Sequence, residues 1–295
     1  MIGHSEIIGH ANQLNILKKN YNNNFPHAWI FNGIKGIGKY STAVSFIKSI
    51  KNKKIALEQN LFEINSDDNF ALIDDVRNLI NQMYLTNANS NEKCFIILDN
   101  ADKLSFNSYN ALLKTIEEPP SNTIIFIICH NLNKIPKTVV SRCIKLDFKP
   151  LNNEQISEFC KINNIDLNEF NLQENHHFIN GSVEKLLLCI SDEGKHVREF
   201  FKQLNNLTEL KHSEFEKFYD QISKNHEKYY NILINYLFAF QKEKYIKNSD
   251  NKLNLIKILL FFSNIEIFTK QNLNIDKKKE IHFLISEYCK TIFNE

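Results

Sequence analysis

Arginine is almost absent from this chain. Its 36 basic residues comprise 33 lysines and only Arg77, Arg142 and Arg198. Where lysine fills nearly every cationic position, an arginine calls for a chemical reason that lysine cannot meet. Glycine is nearly as scarce, seven in 295 residues. An excess of one charge is also missing: 34 acids against 36 bases leave +2, too balanced for a protein that wraps nucleic acid by itself. Division near Pro150 gives +4 before it and −2 after it, which permits at most an assisted contact with phosphates. The six cysteines are scattered singly, with no C-x-x-C pair and no Cys/His cluster at ligand spacing, so neither a zinc site nor a disulfide framework is expected. The N-terminal MIGHSEIIGH has no apolar signal core. The most apolar later stretches, Tyr230 to Phe240 and Leu255 to Phe268, are broken by polar residues before reaching spanning length. A soluble, cytoplasmic protein with no membrane partner is the expectation.

What is present is ordinary globular composition, 43% hydrophobic and 24% charged, over a length that suggests two or three domains. Up to about residue 150, short apolar runs alternate with helical segments, the pattern of a parallel α/β layer. The runs are Ala28 to Asn32, Leu61 to Asn65, Cys94 to Asp99 and Thr123 to Cys129, with a shorter one at Ile144 to Phe148. Their continuous hydrophobicity fits strands covered on both faces. Helices are predicted at Lys39 to Ile50, Phe70 to Leu85 and Asn107 to Glu118, the last stopped by Pro119 and Pro120. Beyond Pro150 the strand pattern disappears. A short helical region over 151–192 precedes a long amphipathic helical region, 193–295, whose Phe and Tyr at helical spacing read as core residues.

Three of the seven glycines fall within GIKGIGKY, Gly33 to Tyr40, between a predicted strand and a predicted helix. Gly33, Gly36, Gly38 and Lys39 fit a G-x-x-x-x-G-K phosphate loop, in which backbone N–H groups converge on a polyphosphate and the lysine reaches its outer phosphates. Tyr40 stands where a Ser or Thr hydroxyl would bind Mg²⁺. Ser41 does not replace it, because one helical residue further on its side chain points about 100° away. CFIILDNAD ends in Asp99, placed at a strand C-terminus for the Walker B role. The next residue is Asn100, where an ATPase of this type carries a Glu to polarise the attacking water, and an amide cannot take a proton. Both departures argue against hydrolysis by this chain.

The segment Cys94 to Cys143, with NALLKTIEEPP (Asn110 to Pro120) and KIPKTVVSRC (Lys134 to Cys143), closely resembles the clamp-loader branch of the AAA+ proteins, in its delta-prime group. FPHAWIFNGIKGIGK (Phe25 to Lys39) and IDDVRNL (Ile73 to Leu79) match as well. The resemblance implies an AAA+ P-loop domain over 1–150, a small helical lid over 151–192 and an all-α collar for oligomerisation over 193–295. It makes Arg142, flanked by Ser141 and Cys143, an arginine finger supplied in trans to a neighbour's ATP site. A guanidinium offers two parallel hydrogen bonds to a γ-phosphate where lysine offers a point charge, and such a finger contributes on the order of 10³-fold to turnover. Arg77 falls on an arginine the family carries before its Walker B strand, for which a packing or interdomain contact is the expectation. Arg198 matches nothing and reads as an exposed helix-face residue. His130 or Asn131 is the expected sensor 1 residue.

The departures from the family limit what carries over. The lid's sensor arginine is replaced in Gly181-Ser182-Val183-Glu184 by an acid, and the stretch between Ser49 and Leu61 has no cysteine for the zinc insert of many bacterial relatives. The implied function is that of a non-hydrolysing stator in the loading of the sliding clamp. Its partners would be motor (gamma/tau) and delta subunits, the clamp indirectly, and primer-template DNA inside the assembly. No cofactor is required, the Gly33 to Lys39 loop and Asp99 would hold ATP weakly or stand empty as an architectural relic, and no zinc is expected. An active gamma-type ATPase is the alternative; an unrelated P-loop kinase would leave the SRC and EEPP motifs without a role.

Overall fold

Strands form where the apolar runs lie, and they form one sheet. The computed structural model describes residues 7–21, 25–50, 60–65, 73–89, 93–120, 122–167, 172, 178–192, 194–196, 198–199, 279 and 283. The expected collar over 193–295 falls almost wholly outside the described residues. The chain divides into two compact units, Met1–Ile165 with Gly181–Val183, and Asp166–Asn180 with Glu184–Glu295.

In the first unit α1 (Ala11–Tyr21) leads into β1 (Ala28–Asn32) and α2 (Lys39–Ile50), followed by β2 (Leu61–Asn65), α3 (Ile73–Asn89) and β3 (Cys94–Asp99). Then come α4 (Phe106–Glu117), β4 (Thr123–Cys129), α5 (Lys137–Val140), β5 (Ile144–Asp147) and α6 (Asn153–Ile162). The strands are all parallel, in the order β2-β3-β4-β1-β5. The helix α7 (Val183–Ile190), which falls in the second unit from Glu184 onward, buries Leu186 and Cys189. Within 151–192 the described helices are α6 and α7, and α6 groups with the sheet-bearing unit.

Successive side chains of a strand point to opposite faces, so a sheet covered on both sides needs an apolar residue at every position. Cys94, Ile96 and Leu98 of β3, with Ile125, Ile127 and Cys129 of β4, face α3, α4 and α5. Phe95 and Ile97, with Ile124, Phe126 and Ile128, face α1 and α2 together with Trp29 and Phe31. This second core is aromatic: the Phe31 ring lies 5.2 Å from Phe126 and 5.0 Å from Phe148, and Phe46 of α2 meets Phe126 edge-on at 5.9 Å.

Local chemistry sets the ends of α4. Ser105 caps its N-terminus, its hydroxyl accepting from the Ser108 N–H at 3.1 Å. At the other end Glu118 leaves the helical region, at φ −126, because Pro119 follows it. The helix α3 covers Ile73–Asn89, running past the expected end at Leu85, while the expected start at Phe70 lies outside the described residues. Two short or weakly apolar helices, α1 and α5, have no counterpart in the sequence expectations.

The chain leaves β1 toward the aromatic face, into α2, and leaves the adjacent β4 toward the other face, into α5. Neighbouring parallel strands whose connections diverge open a crevice beyond their carboxyl ends, where α/β proteins place ligands. Removing the ring at the centre of the aromatic layer, Phe126→Ala, is expected to lower the unfolding free energy by about 3–5 kcal/mol, read from urea unfolding curves. A loss under about 1 kcal/mol would show that this layer does not hold the sheet.

Candidate functional site

The loop after β1 takes the shape its glycines allow. Gly36 and Gly38 adopt φ of 76° and 100°, left-handed conformations that side chains other than Asn and Asp rarely tolerate. An added Cβ at Gly38 would come no nearer than 3.7 Å to His10, so backbone conformation, not space, demands glycine there. The carbonyl of Gly36 accepts from the Val183 N–H at 2.9 Å, and the Thr42 hydroxyl donates to the Gly38 carbonyl at 2.9 Å, anchoring the loop at both ends. Lys39, only 3% exposed, turns back over the loop: its ammonium donates to the Gly33 and Ile34 carbonyls at 2.7 and 2.6 Å and reaches His130 Nδ1 at 3.0 Å.

That last contact fixes a chain of hydrogen bonds. An ammonium can only donate, so His130 Nδ1 accepts and its proton sits on Nε2. Nε2–H then donates to Asn100 Oδ1, and Asn100 Nδ2 donates to Asn65 Oδ1 at 3.3 Å. Three strand ends are joined in one direction, from Lys39 through His130 and Asn100 to Asn65. The His130 N–H also donates to Asp102 at 2.9 Å, which holds the backbone beyond β4. Asn131 instead caps the turn that follows, accepting from the Asn133 N–H at 3.0 Å. Of the two sensor candidates, His130 is the one whose side chain meets the loop lysine.

Asp99 closes β3, its Oδ1 accepting from the Asn100 N–H at 2.9 Å. Asn100 itself is buried at φ 57, ψ 43, a left-handed conformation in which Asn is among the best tolerated side chains and Glu is strained. Tyr40 extends from the start of α2 to β2, where its hydroxyl donates to Glu63 at 2.9 and 3.2 Å. Burial, this hydrogen bond and the charges of Glu63 and Asp99 push the phenol up to about 12. Sequence reading missed Glu63, which no local pattern connects to a residue 23 positions earlier.

His10 was missed as well. It is buried, donates from Nε2 to the Ile37 carbonyl at 2.7 Å and meets Phe148 edge-on at 4.9 Å. Burial, aided by the charge of Lys39, holds its imidazole below the usual histidine range against the pull of the Ile37 hydrogen bond. A neutral ring is the outcome, braced under the phosphate loop.

The SRC residues lie at a different place, after α5. Arg142 is 41% exposed; its Nε lies 2.7 Å from Glu117 Oε1, and Nη1 donates to the Thr138 carbonyl at 2.8 Å. The Ser141 hydroxyl donates to the same carbonyl at 3.1 Å and lies 3.4 Å from Arg142 Nη1. Cys143 packs against the core of α3, α4 and α5, and burial pushes its thiol up to about 12.

The remaining expectations divide. Arg77 is 60% exposed and 3.6 Å from Asp74 one helical turn away, on a groove of about 690 Å³ that Asn81, Asn107 and Asn110 also line; it is not a core-packing residue. Arg198 is half-buried, with Nη1 shielded from solvent, which corrects its reading as an exposed helix-face residue. Glu184 is exposed in the first turn of α7, where its charge suits the positive end of the helix. Among the described residues there is no cluster of three metal-ligating side chains and no helix long and apolar enough to cross a membrane.

The Tyr40 contact carries a pH signature. The folded state keeps a phenolic proton up to about pH 12 that the unfolded chain releases near pH 10, so unfolded molecules bind fewer protons and stability falls across that window. Tyr40→Phe is expected to remove part of this alkaline loss in urea titrations between pH 9 and 11.5, burial of Tyr109 supplying another part. An alkaline slope identical to that of the unaltered chain would mean that Tyr40 is not held as described.

Comparison with known proteins places this geometry. Residues 9–152 match the family model described as DNA polymerase III, delta subunit. The chain is 29% identical over 182 residues to DNA polymerase III subunit gamma of Buchnera aphidicola from Acyrthosiphon pisum, covering 55% of this chain and 50% of the relative. It is 30% identical over 149 residues to subunit tau of Bacillus subtilis, covering 45% and 26% respectively. The replication factor C small subunit of Picrophilus torridus is 31% identical over 189 residues, 62% of this chain and 58% of the relative. The chain thus spans about half or less of the gamma and tau relatives. A DNA polymerase III gamma subunit-related protein of Thermotoga maritima shares the fold, with a TM-score of 0.60 at 16% identity over 95% of this chain and 99% of that one. Residues 9–152 are accordingly similar to the family described as DNA polymerase III, delta subunit, and the chain is similar to gamma and tau subunits of DNA polymerase III.

Proposed function

We propose that this chain is a delta-prime-type AAA+ subunit of a clamp loader, a stator that does not itself hydrolyse ATP. It assembles with gamma/tau-type motors and a delta-type subunit, and lends Arg142 to the ATP site of a neighbour. The sliding clamp is reached through the other subunits, and primer-template DNA is met inside the assembly.

Asn100 carries this reading. Attack of water on a γ-phosphate calls for a side chain that polarises the water or takes its proton. The residue after Asp99 is a buried amide whose oxygen accepts from His130 and whose nitrogen donates to Asn65. An amide offers no basic lone pair for the proton. Tyr40 adds to this: the position of the metal-binding hydroxyl is a phenol tied to Glu63. The backbone of Gly36 to Gly38 and the ammonium of Lys39 still fit a polyphosphate, so they would hold ATP weakly, while Tyr40 does not fit a magnesium ligand. The gamma-type reading draws on the same complete glycine and lysine set and on the gamma and tau relatives, and it differs in one measurable way, magnesium-dependent turnover by the chain alone.

Two measurements separate these readings. The isolated chain is expected to show no magnesium-dependent ATP hydrolysis; turnover at about 1 s⁻¹ or faster, ordinary for an enzyme, would establish the motor reading instead. In a complex reconstituted with motor and delta-type subunits, Arg142→Ala and Arg142→Lys are expected to leave assembly intact. Both should lower DNA-stimulated hydrolysis, by about 10³-fold at the single site that receives the finger. Unchanged turnover with Arg142→Ala would overturn the trans role.

A further inference from the structure

We propose that Glu117 is a positioning residue for Arg142, holding the guanidinium so that its outward edge is set for a neighbour's phosphate. The inference rests on the trans role of Arg142 and adds a residue to it. Glu117 is the last residue of α4, and Pro119 and Pro120 end the helix immediately beyond. Its backbone is therefore fixed, and its carboxylate meets Arg142 Nε at 2.7 Å across the gap to α5.

An acid is the wrong charge for that position in a helix. Carboxylates at a C-terminus oppose the macrodipole at a cost of about 0.3–1 kcal/mol, and α4 ends with Glu117 followed by Glu118. A surface ion pair with 41% and 47% of its side chains exposed contributes little stability in return. Helix stability thus gives no reason for Glu117. Geometry does. A guanidinium has five N–H bonds in one plane. Nε–H goes to Glu117, and the two on Nη1 face the Thr138 carbonyl and the Ser141 hydroxyl. The pair on Nη2 has no partner among the described residues. Three contacts on the inner edge fix the plane and aim the free pair outward, so the finger meets a phosphate without first losing the rotational freedom of a long side chain. Glu117 touches no reacting atom; it acts through Arg142.

The test uses the reconstituted complex and reads ATP turnover against ATP concentration with primed DNA present. Glu117→Ala is expected to lower kcat about 5- to 10-fold at the site that receives the finger while leaving KM for ATP and the assembly unchanged, less than the roughly 10²-fold that a 1 Å misplacement can cost. Glu117→Gln keeps an acceptor oxygen in the same place and should recover most of the rate. Glu117→Asp falls one methylene short and should behave like the alanine variant. In an Arg142→Ala background Glu117→Ala should change nothing further. Full activity of Glu117→Ala, or an undiminished effect of it without Arg142, would overturn the positioning role while leaving the finger standing. If Arg142→Ala itself has no effect, the trans role falls and Glu117 with it. Thermal melting of the isolated Glu117→Ala chain, expected within about 2 °C of the unaltered protein, separates a positional loss from unfolding.

Discussion

Burial of the sheet on both faces is the constraint on which the rest of the first unit depends. A parallel sheet cannot be closed by hairpins; each strand needs a crossover, and the crossovers cover the faces. In this chain α1 and α2 take one face and α3, α4 and α5 the other. The covering dictates composition, with an apolar residue at nearly every position of β1, β3 and β4. It also dictates where polar chemistry can occur. Side chains within the central strands β3 and β4 are committed to packing, so polar groups gather at their carboxyl ends, Asp99 and His130, beside Asn65 at the end of the edge strand β2. The crevice between β1 and β4 gathers them because the chain leaves those strands toward opposite faces.

Inside that crevice one donor sets the direction of every bond. The ammonium of Lys39 has no lone pair, so His130 must accept from it, Asn100 must accept from His130, and Asn65 must accept from Asn100. An imidazole that accepts on one nitrogen and donates on the other is neutral. The arrangement also accounts for an amide after Asp99: Asn can accept with one atom and donate with the other, and it tolerates the left-handed backbone at φ 57. A carboxylate would accept from His130 but donate nothing to Asn65. The Lys39, His130 and Asn100 side chains thus satisfy one another.

The strands were legible because two-sided burial leaves an unambiguous record, and the expected ranges of β1, β2, β3 and β4 coincide with the observed ones. The phosphate loop was legible because its conformation demands glycine in a chain that otherwise avoids it. The helix α1 was not: ANQLNILKKNY buries only Leu17 fully, so it leaves a faint period. The helix α5, four residues long, is too short to show one. Pairings across the fold were beyond reach for another reason. Glu63 and Tyr40 stand 23 residues apart, Glu117 and Arg142 stand 25 apart, and nothing in either member of a pair specifies the other. His10 was similarly silent, since a lone histidine near a terminus reads as solvent-exposed until the core closes over it.

The scarcity of arginine sharpens the difference between the three that occur. Lysine could replace Arg77 with little change, because a surface contact of 3.6 Å to Asp74 uses only a point charge. At Arg142 the side chain does two things at once: it is held on its inner edge by a carboxylate, a carbonyl and a hydroxyl, and it presents a second edge outward. A lysine ammonium concentrates its three N–H bonds on one atom, so any contact that anchors it also consumes what it could offer a ligand. Only a rigid planar fork separates anchoring from presentation. On the proposed trans role, that separation is the chemical reason for arginine here, and Glu117, placed at some electrostatic cost on the negative end of α4, becomes part of the same device.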